Sequence, residues 1–119
     1  MKLKADRIAL VVNLRCVKIL TADLDTRIDA AERTIVFRPG SASLPVIAVV
    51  SEVGSAYLDP VAVDAFLSAC KRGKADTVEV SISEDGRVEI EADSRLLGAF
   101  DGQPEAETGT LPFPAKQEG

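Results

Sequence analysis

The period of apolar and polar positions changes several times along the chain, and each change marks an element. Val63, Phe66, Leu67 and Cys70 recur at the i, i+3, i+4, i+7 spacing of one helical face. Just before them stands a start signal. The Asp59 carboxylate can accept from the first free N–H groups, Pro60 brings a preset φ, and Leu58 and Val63 occupy hydrophobic-staple positions. Lys71, Arg72 and Gly73 supply a basic last turn and a glycine stop. After the helix the period drops to two. Val78, Val80 and Ile82 alternate with Thr77, Glu79, Ser81 and Ser83, Glu84-Asp85-Gly86 turns the chain, and Val88, Ile90 and Ala92 alternate with Arg87, Glu89 and Glu91. One face of this hairpin is for a core and the other for water. A closing strand completes a unit spanning residues 55–100.

Upstream, residues 1–4 read as extended. Residues 6–20 admit two readings. A helix begins near Ala5-Asp6 with an acidic first turn, placing Ile8, Val12 and Ile19 on one side and Arg7 with Lys18 on another. A strand puts Ile8, Leu10, Val12, Leu14 and Cys16 on one face, and the valine and isoleucine content leans that way. Leu24, Thr26 and Ile28 then alternate with Asp23, Asp25, Arg27 and Asp29, a strand with one wet face. Residues 30–33 turn and residues 34–38 return as its partner. Residues 39–43 form a loop, and the apolar run 46–53 predicts a well-buried strand.

From residue 101 onward the chain is rich in Gly, Pro, Glu, Gln and Thr, which predicts a domain over 1–100 and a mobile tail over 101–119. The tail's one apolar cluster is Leu111-Pro112-Phe113. It either pins the tail loosely to its own domain or makes Leu111 and Phe113 a short peptide for a partner's pocket.

At 119 residues, 46% hydrophobic, the chain can bury one modest core. A net charge of −5 argues against a surface that grips nucleic acid throughout, while allowing a local basic face. Cys16 and Cys70 lack CxxC spacing and read as buried thiols in a reducing compartment. With no secretory, lipidation or transmembrane pattern, the expectation is a soluble cytoplasmic protein that engages no membrane. Catalytic chemistry is nearly missing: there is no histidine, GxSxG or P-loop, so neither an enzyme nor a cofactor is expected. Asp23, Asp25 and Asp29 share a strand face, yet Arg27 intervenes and a calcium-loop glycine is missing, so a solvated face explains them better than a metal. Glu79, Glu89 and Glu91 likewise line a wet face.

The start, MKLKADRIALVVNLRCVKI, resembles the amino terminus of bacteriophage and bacterial DNA polymerase sliding clamps, where a short strand precedes a helix. SAYLDPVAVDAFLSACKRGKADTVEVSISEDGRVEIEADSRLLGAF is similar to the clamp segment in which a strand enters a helix, a hairpin turns through an acidic-Gly pair, and the last strand carries a Ser-Arg pair like Ser94-Arg95. The resemblance covers about one clamp domain. It implies an α+β fold, βαβββ-βαβββ, with two helices packed on antiparallel sheet, and it makes residues 6–19 a helix, which the pattern alone does not.

Known clamps encircle DNA with twelve helices from six such domains and line the channel with lysine and arginine. The resemblance therefore nominates Arg7, Arg15 and Lys18 on the first helix and Lys71, Arg72 and Lys74 at the end of the second as DNA-contacting residues. Each also has a local explanation, dipole complementation or turn solvation. Two functions stand at this stage. One is a processivity-type tether, self-associating through sheet edges into a ring on duplex DNA without reading sequence, with a polymerase or other replication protein as a further partner. The other is a non-enzymatic module, of phage origin in one version, that binds a host protein through a sheet edge or the tail.

Overall fold

Asp6 decides where the first strand ends. Its Oδ2 accepts from the Ala9 N–H at 2.9 Å, so the chain turns from β1 (Lys2–Asp6) directly into α1 (Arg7–Thr21). The computed structural model describes residues 1–21 and 25–104. After α1 come β2 (Thr26–Ala31), β3 (Thr34–Pro39), β4 (Leu44–Glu52) and β5 (Gly54–Leu58). Then follow α2 (Pro60–Arg72), β6 (Thr77–Ile82), β7 (Arg87–Ala92), β8 (Arg95–Asp101) and β9 (Gln103–Pro104). This is the α+β order expected, βαβββ twice.

The strands form one antiparallel sheet in the order β8-β7-β6-β1-β4-β3-β2-β5-β9. Each repeat lends its first strand to the other: β1 pairs with β6 as well as β4, and β5 pairs with β2. β8 and β5 are not neighbours in the sheet, which opens there, but β9 lies on β5 one residue after β8 ends. The two edges therefore curl towards each other. Gly102 joins them, its N–H donating to the Gly86 carbonyl at 2.8 Å. A Cβ on Gly102 would lie 3.1 Å from both Leu58 Cδ2 and the Tyr57 carbonyl. Strand pairing thus continues past residue 100 to Pro104. Residues 105–119, with Leu111 and Phe113, lie outside the described residues.

α2 forms as its signals predict. Asp59 Oδ1 accepts from the Ala62 N–H at 2.7 Å, Pro60 opens the first turn, and Val63, Phe66, Leu67 and Cys70 are buried. Phe66 joins the two repeats through Phe37 of β3 and Phe100 of β8, with ring centroids 6.1 and 5.9 Å away. Gly73 ends the helix without a left-handed turn. A Cβ there would meet Arg7 Cδ and Leu97 Cδ1 at 3.0 Å, so close packing selects glycine.

Several expectations are corrected. Residues 7–21 form the helix that the resemblance implied, against the strand towards which the pattern alone leaned, and Asp6 caps it rather than entering its first turn. α1 buries Leu10, Val11, Leu14 and Val17, leaving Ile8, Val12 and Ile19 exposed. The helix carries two apolar arcs, and the arc of Leu10, Val11, Leu14 and Val17 is the one that meets the sheet and α2, with Arg7 fastened to the exit of α2. β4 begins at Leu44 and is buried on one face only: Val46 and Ala48 point inward while Ile47 is 83% exposed. The first turn is tighter than 30–33, since Ala30 and Ala31 belong to β2 and Glu32 takes φ 40°. Cys16 is exposed, and only Cys70 is the buried thiol expected. Burial pushes that thiol up to about 12, against the pull of Arg7. Leu24 and Asp23 lie outside the described residues.

Candidate nucleic-acid interface

The two helices lie side by side on one face of the sheet, antiparallel, and the basic residues nominated for DNA divide into committed and open groups. Arg7 is committed. Its backbone N–H donates to the Asp76 carbonyl, Nε donates to Ala75 O at 2.8 Å, and Nη1 donates to Cys70 O at 3.4 Å. That guanidinium fastens the start of α1 to the exit of α2, and it is half-buried. Lys18 Nζ sits 2.6 Å from Asp64 Oδ1 across the helix pair, with both side chains about half exposed. At such exposure the pair contributes at most about 1 kcal/mol, and Lys18 can leave it for another anion. Arg72 Nη1 donates to Leu97 O at 2.7 Å, a cation on the edge strand β8.

Arg15, Lys71 and Lys74 are exposed, and their side chains pair with no described residue. Arg15, Lys18, Lys71 and Arg72 are exposed on α1 and α2, whose one carboxylate besides the caps Asp6 and Asp59 is Asp64, while the chain as a whole is acidic. Lys74 stands apart, past the helix, in the wall of a 420 Å³ cavity with Arg72, Asp93, Arg95 and Leu97. Sequence reasoning missed Arg95 as a site residue although the Ser94-Arg95 pair was visible. The tight β7–β8 turn, with Asp93 and Ser94 at φ 51° and 63°, carries it beside Lys74.

Two further features were not foreseen. On the outer face, Asp29 accepts from Arg27 Nε at 3.0 Å, Arg38 Nε at 2.8 Å and the Ser55 hydroxyl. Burial alone would raise its carboxyl, but the hydrogen bonds from Ser55, Arg38 and Arg27 hold it below the usual carboxylate range. Asp29 is thus occupied by guanidinium groups, and the described residues contain no group of three metal-ligating side chains.

The second feature is an apolar groove of 630 Å³ between α1 and the start of β4, lined by Ala9, Val12, Cys16, Leu44, Pro45 and Ile47. It exists because β1 pairs with β4 only as far as Ala5 with Ala48, leaving residues 44–47 with a strand neighbour on the β3 side alone. Pro45 falls in this one-sided stretch, where a missing N–H is tolerated.

Repeat order, curled sheet and paired helices define a clamp-type domain. Among solved structures, the chain is similar to the DNA polymerase beta subunit of Streptococcus pyogenes, at 14% identity and TM-score 0.67 over 99% of this chain and 33% of that one. A Helicobacter pylori beta clamp matches at 13% and 0.72, covering 96% of this chain and 32% of that one. The Bacillus subtilis DNA polymerase sliding clamp matches at 19% and 0.68, covering 95% and 34%. The chain spans about a third of each, and the likeness shows the fold. No family model and no curated protein matches the chain. No helix among the described residues is long and apolar enough to cross a membrane.

Proposed function

We propose that this domain is a clamp-like tether, a unit of a self-assembling ring that meets duplex DNA through its helical face and holds a polymerase or other replication protein there. The observation that carries this reading is the segregation of charge: in an acidic chain, α1 and α2 expose Arg15, Lys18, Lys71 and Arg72 against Asp64 and the two capping carboxylates, Asp6 and Asp59. Such a face contacts phosphates and is indifferent to base sequence. Arg15 and Lys71 carry most of the binding on the helical face, Lys74 adds to it from the turn past α2, Lys18 and Arg72 join by exchanging their present partners, and Arg7 is structural.

The test is duplex affinity against salt for the wild type and for the Arg15→Ala, Lys71→Ala, Lys74→Ala triple variant, with mass measured in parallel. A ring-forming tether shows a species heavier than the 12.6 kDa chain. Each phosphate that the variant no longer neutralises removes about 0.9 from the slope of log affinity on log salt. A monomer or dimer that ignores linear and circular DNA refutes the reading.

A second reading, a non-enzymatic module for a protein partner, host proteins included, is favoured by a separate observation. Ile8, Val12, Ile19 and Leu20 are all exposed along α1, and Val12 lines the groove. Apolar side chains suit a protein surface better than a phosphate backbone.

A further inference from the structure

We propose that the cavity between the exit of α2 and the β7–β8 turn is a binding site for a phosphate monoester, the group carried by a free nucleotide or by the phosphorylated end of a strand. A chain that never encircles DNA still carries this cavity, so the site stands apart from ring assembly. Its walls hold three cations, Arg72, Lys74 and Arg95, and one carboxylate, Asp93. The remainder is two positive charges, in a chain whose net charge is −5. A monoester carries about −1.5 to −2 at pH 7 and matches that remainder better than the single charge of a backbone diester.

The cations are available. Lys74 and Arg95 make no hydrogen bond or ion pair with a described residue, and Asp93 neutralises neither. Arg72 donates Nη1 to the Leu97 carbonyl at 2.7 Å, which holds its guanidinium at the cavity wall and leaves N–H donors for a ligand. Beneath these charges Gly73 and Ala92 are buried, and such a floor lowers the local dielectric and strengthens their pull. At 420 Å³ the cavity falls within the range of about 300–1,000 Å³ typical of small-molecule sites. Leu96 and Leu97 offer the carbon side of an ester an apolar wall.

The sheet edge beside the cavity decides between a phosphate and an acidic peptide. Asp93 and Ser94, at φ 51° and 63°, make the two-residue turn that sets Arg95 opposite Ala92. Ile90 then pairs with Gly98 and Glu91 with Leu96, so Leu97 is the extra residue of a bulge, and its carbonyl is the one Arg72 takes. An edge bulged and capped in this way is a poor ladder for an added strand, whereas the side-chain cations next to it suit a compact anion.

Backbone amide NMR on the whole chain reads the site, with methyl phosphate and dimethyl phosphate titrated at constant ionic strength. Methyl phosphate should give saturable shifts at residues 72–75 and 93–97 and bind roughly tenfold more tightly than the diester. Arg95→Ala, at an exposed and unpaired position, should weaken it roughly tenfold by removing a charge-assisted bond, and Asp93→Asn should tighten it. Lys4→Ala, which removes an exposed positive charge from β1, should change nothing, and urea midpoints confirm that each variant is folded. Duplexes with phosphorylated or hydroxyl ends, and adenosine monophosphate against adenosine, separate the two sources of the group. A phosphorylated duplex that outcompetes the nucleotide assigns the site to strand ends, and the reverse order assigns it to free nucleotides. Equal affinity for the two methyl esters, or wild-type binding by Arg95→Ala, overturns the proposal. Capture of a glutamate-rich peptide without methyl phosphate overturns it too, and gives the cavity to a protein partner.

Discussion

Replacing Phe66 with alanine tests whether the two repeats share one core. Phe66 is fully buried on α2 and is flanked by Phe37 from the first repeat and Phe100 from the second. Its removal forfeits the transfer free energy of a phenyl ring, leaves a cavity between helix and sheet, and breaks two aromatic pairs. The sum is about 3–5 kcal/mol. For a domain of this length each kcal/mol lowers the melting midpoint by roughly 3–5 °C, so a drop of roughly 10–20 °C is expected. Urea unfolding is the primary assay, with an unchanged m-value showing that stability and not the extent of unfolding has moved. The internal control must be chosen from the structure. Ala62 does not serve, because it is buried beside Val63. Ala62→Ser therefore puts a hydroxyl inside and should cost about 1–3 kcal/mol. Val61, 77% exposed, is the neutral site, and Val61→Ser should stay within about 0.5 kcal/mol. Equal losses from Phe66→Ala and Val61→Ser would refute the packing described.

Gly98→Ala should destabilise by about 1–3 kcal/mol in urea, because its Cβ would fall 2.9 Å from Ala69 Cβ and force α2 away from β8; unchanged stability would deny that close approach. Asp29 has its folded pKa lowered, so its contribution is complete above the unfolded value of about 3.9 and is lost as pH falls through the folded one. Urea midpoints taken from pH 7 to pH 2 should therefore fall less steeply at the acid end for Asp29→Asn than for the wild type, and parallel curves would remove Asp29 from acid stability.

The local signals hold in the structure: α2 with its cap and apolar face, the 77–92 hairpin with its acidic-Gly turn, and the alternation of Thr26 and Ile28 with Arg27 and Asp29. Those signals lie within a few residues of one another, and a cap, a turn or a period of two needs no distant partner. Residues 6–20 carry apolar side chains nearly all round, so helix and strand are both open until the likeness to clamps favours the helix. Which arc of α1 is buried is settled only by packing in the assembled domain, where Leu10, Val11, Leu14 and Val17 meet the sheet and α2, and where Arg7, reaching Ala75 and Cys70, fixes the helix start. The run at 46–53 reads as buried on both faces because composition does not report sheet coverage: with both helices on the inner face, Ile47 and Val49 are left outside. The candidate site follows the same rule. The basic residues are visible as charges, but whether each is committed to a carbonyl, paired with a carboxylate or open to a phosphate depends on groups brought in by the other helix or by β8. The groove between α1 and β4 has no sequence signature, because it exists where β1 stops pairing and β4 continues, and that offset is a property of the assembled sheet.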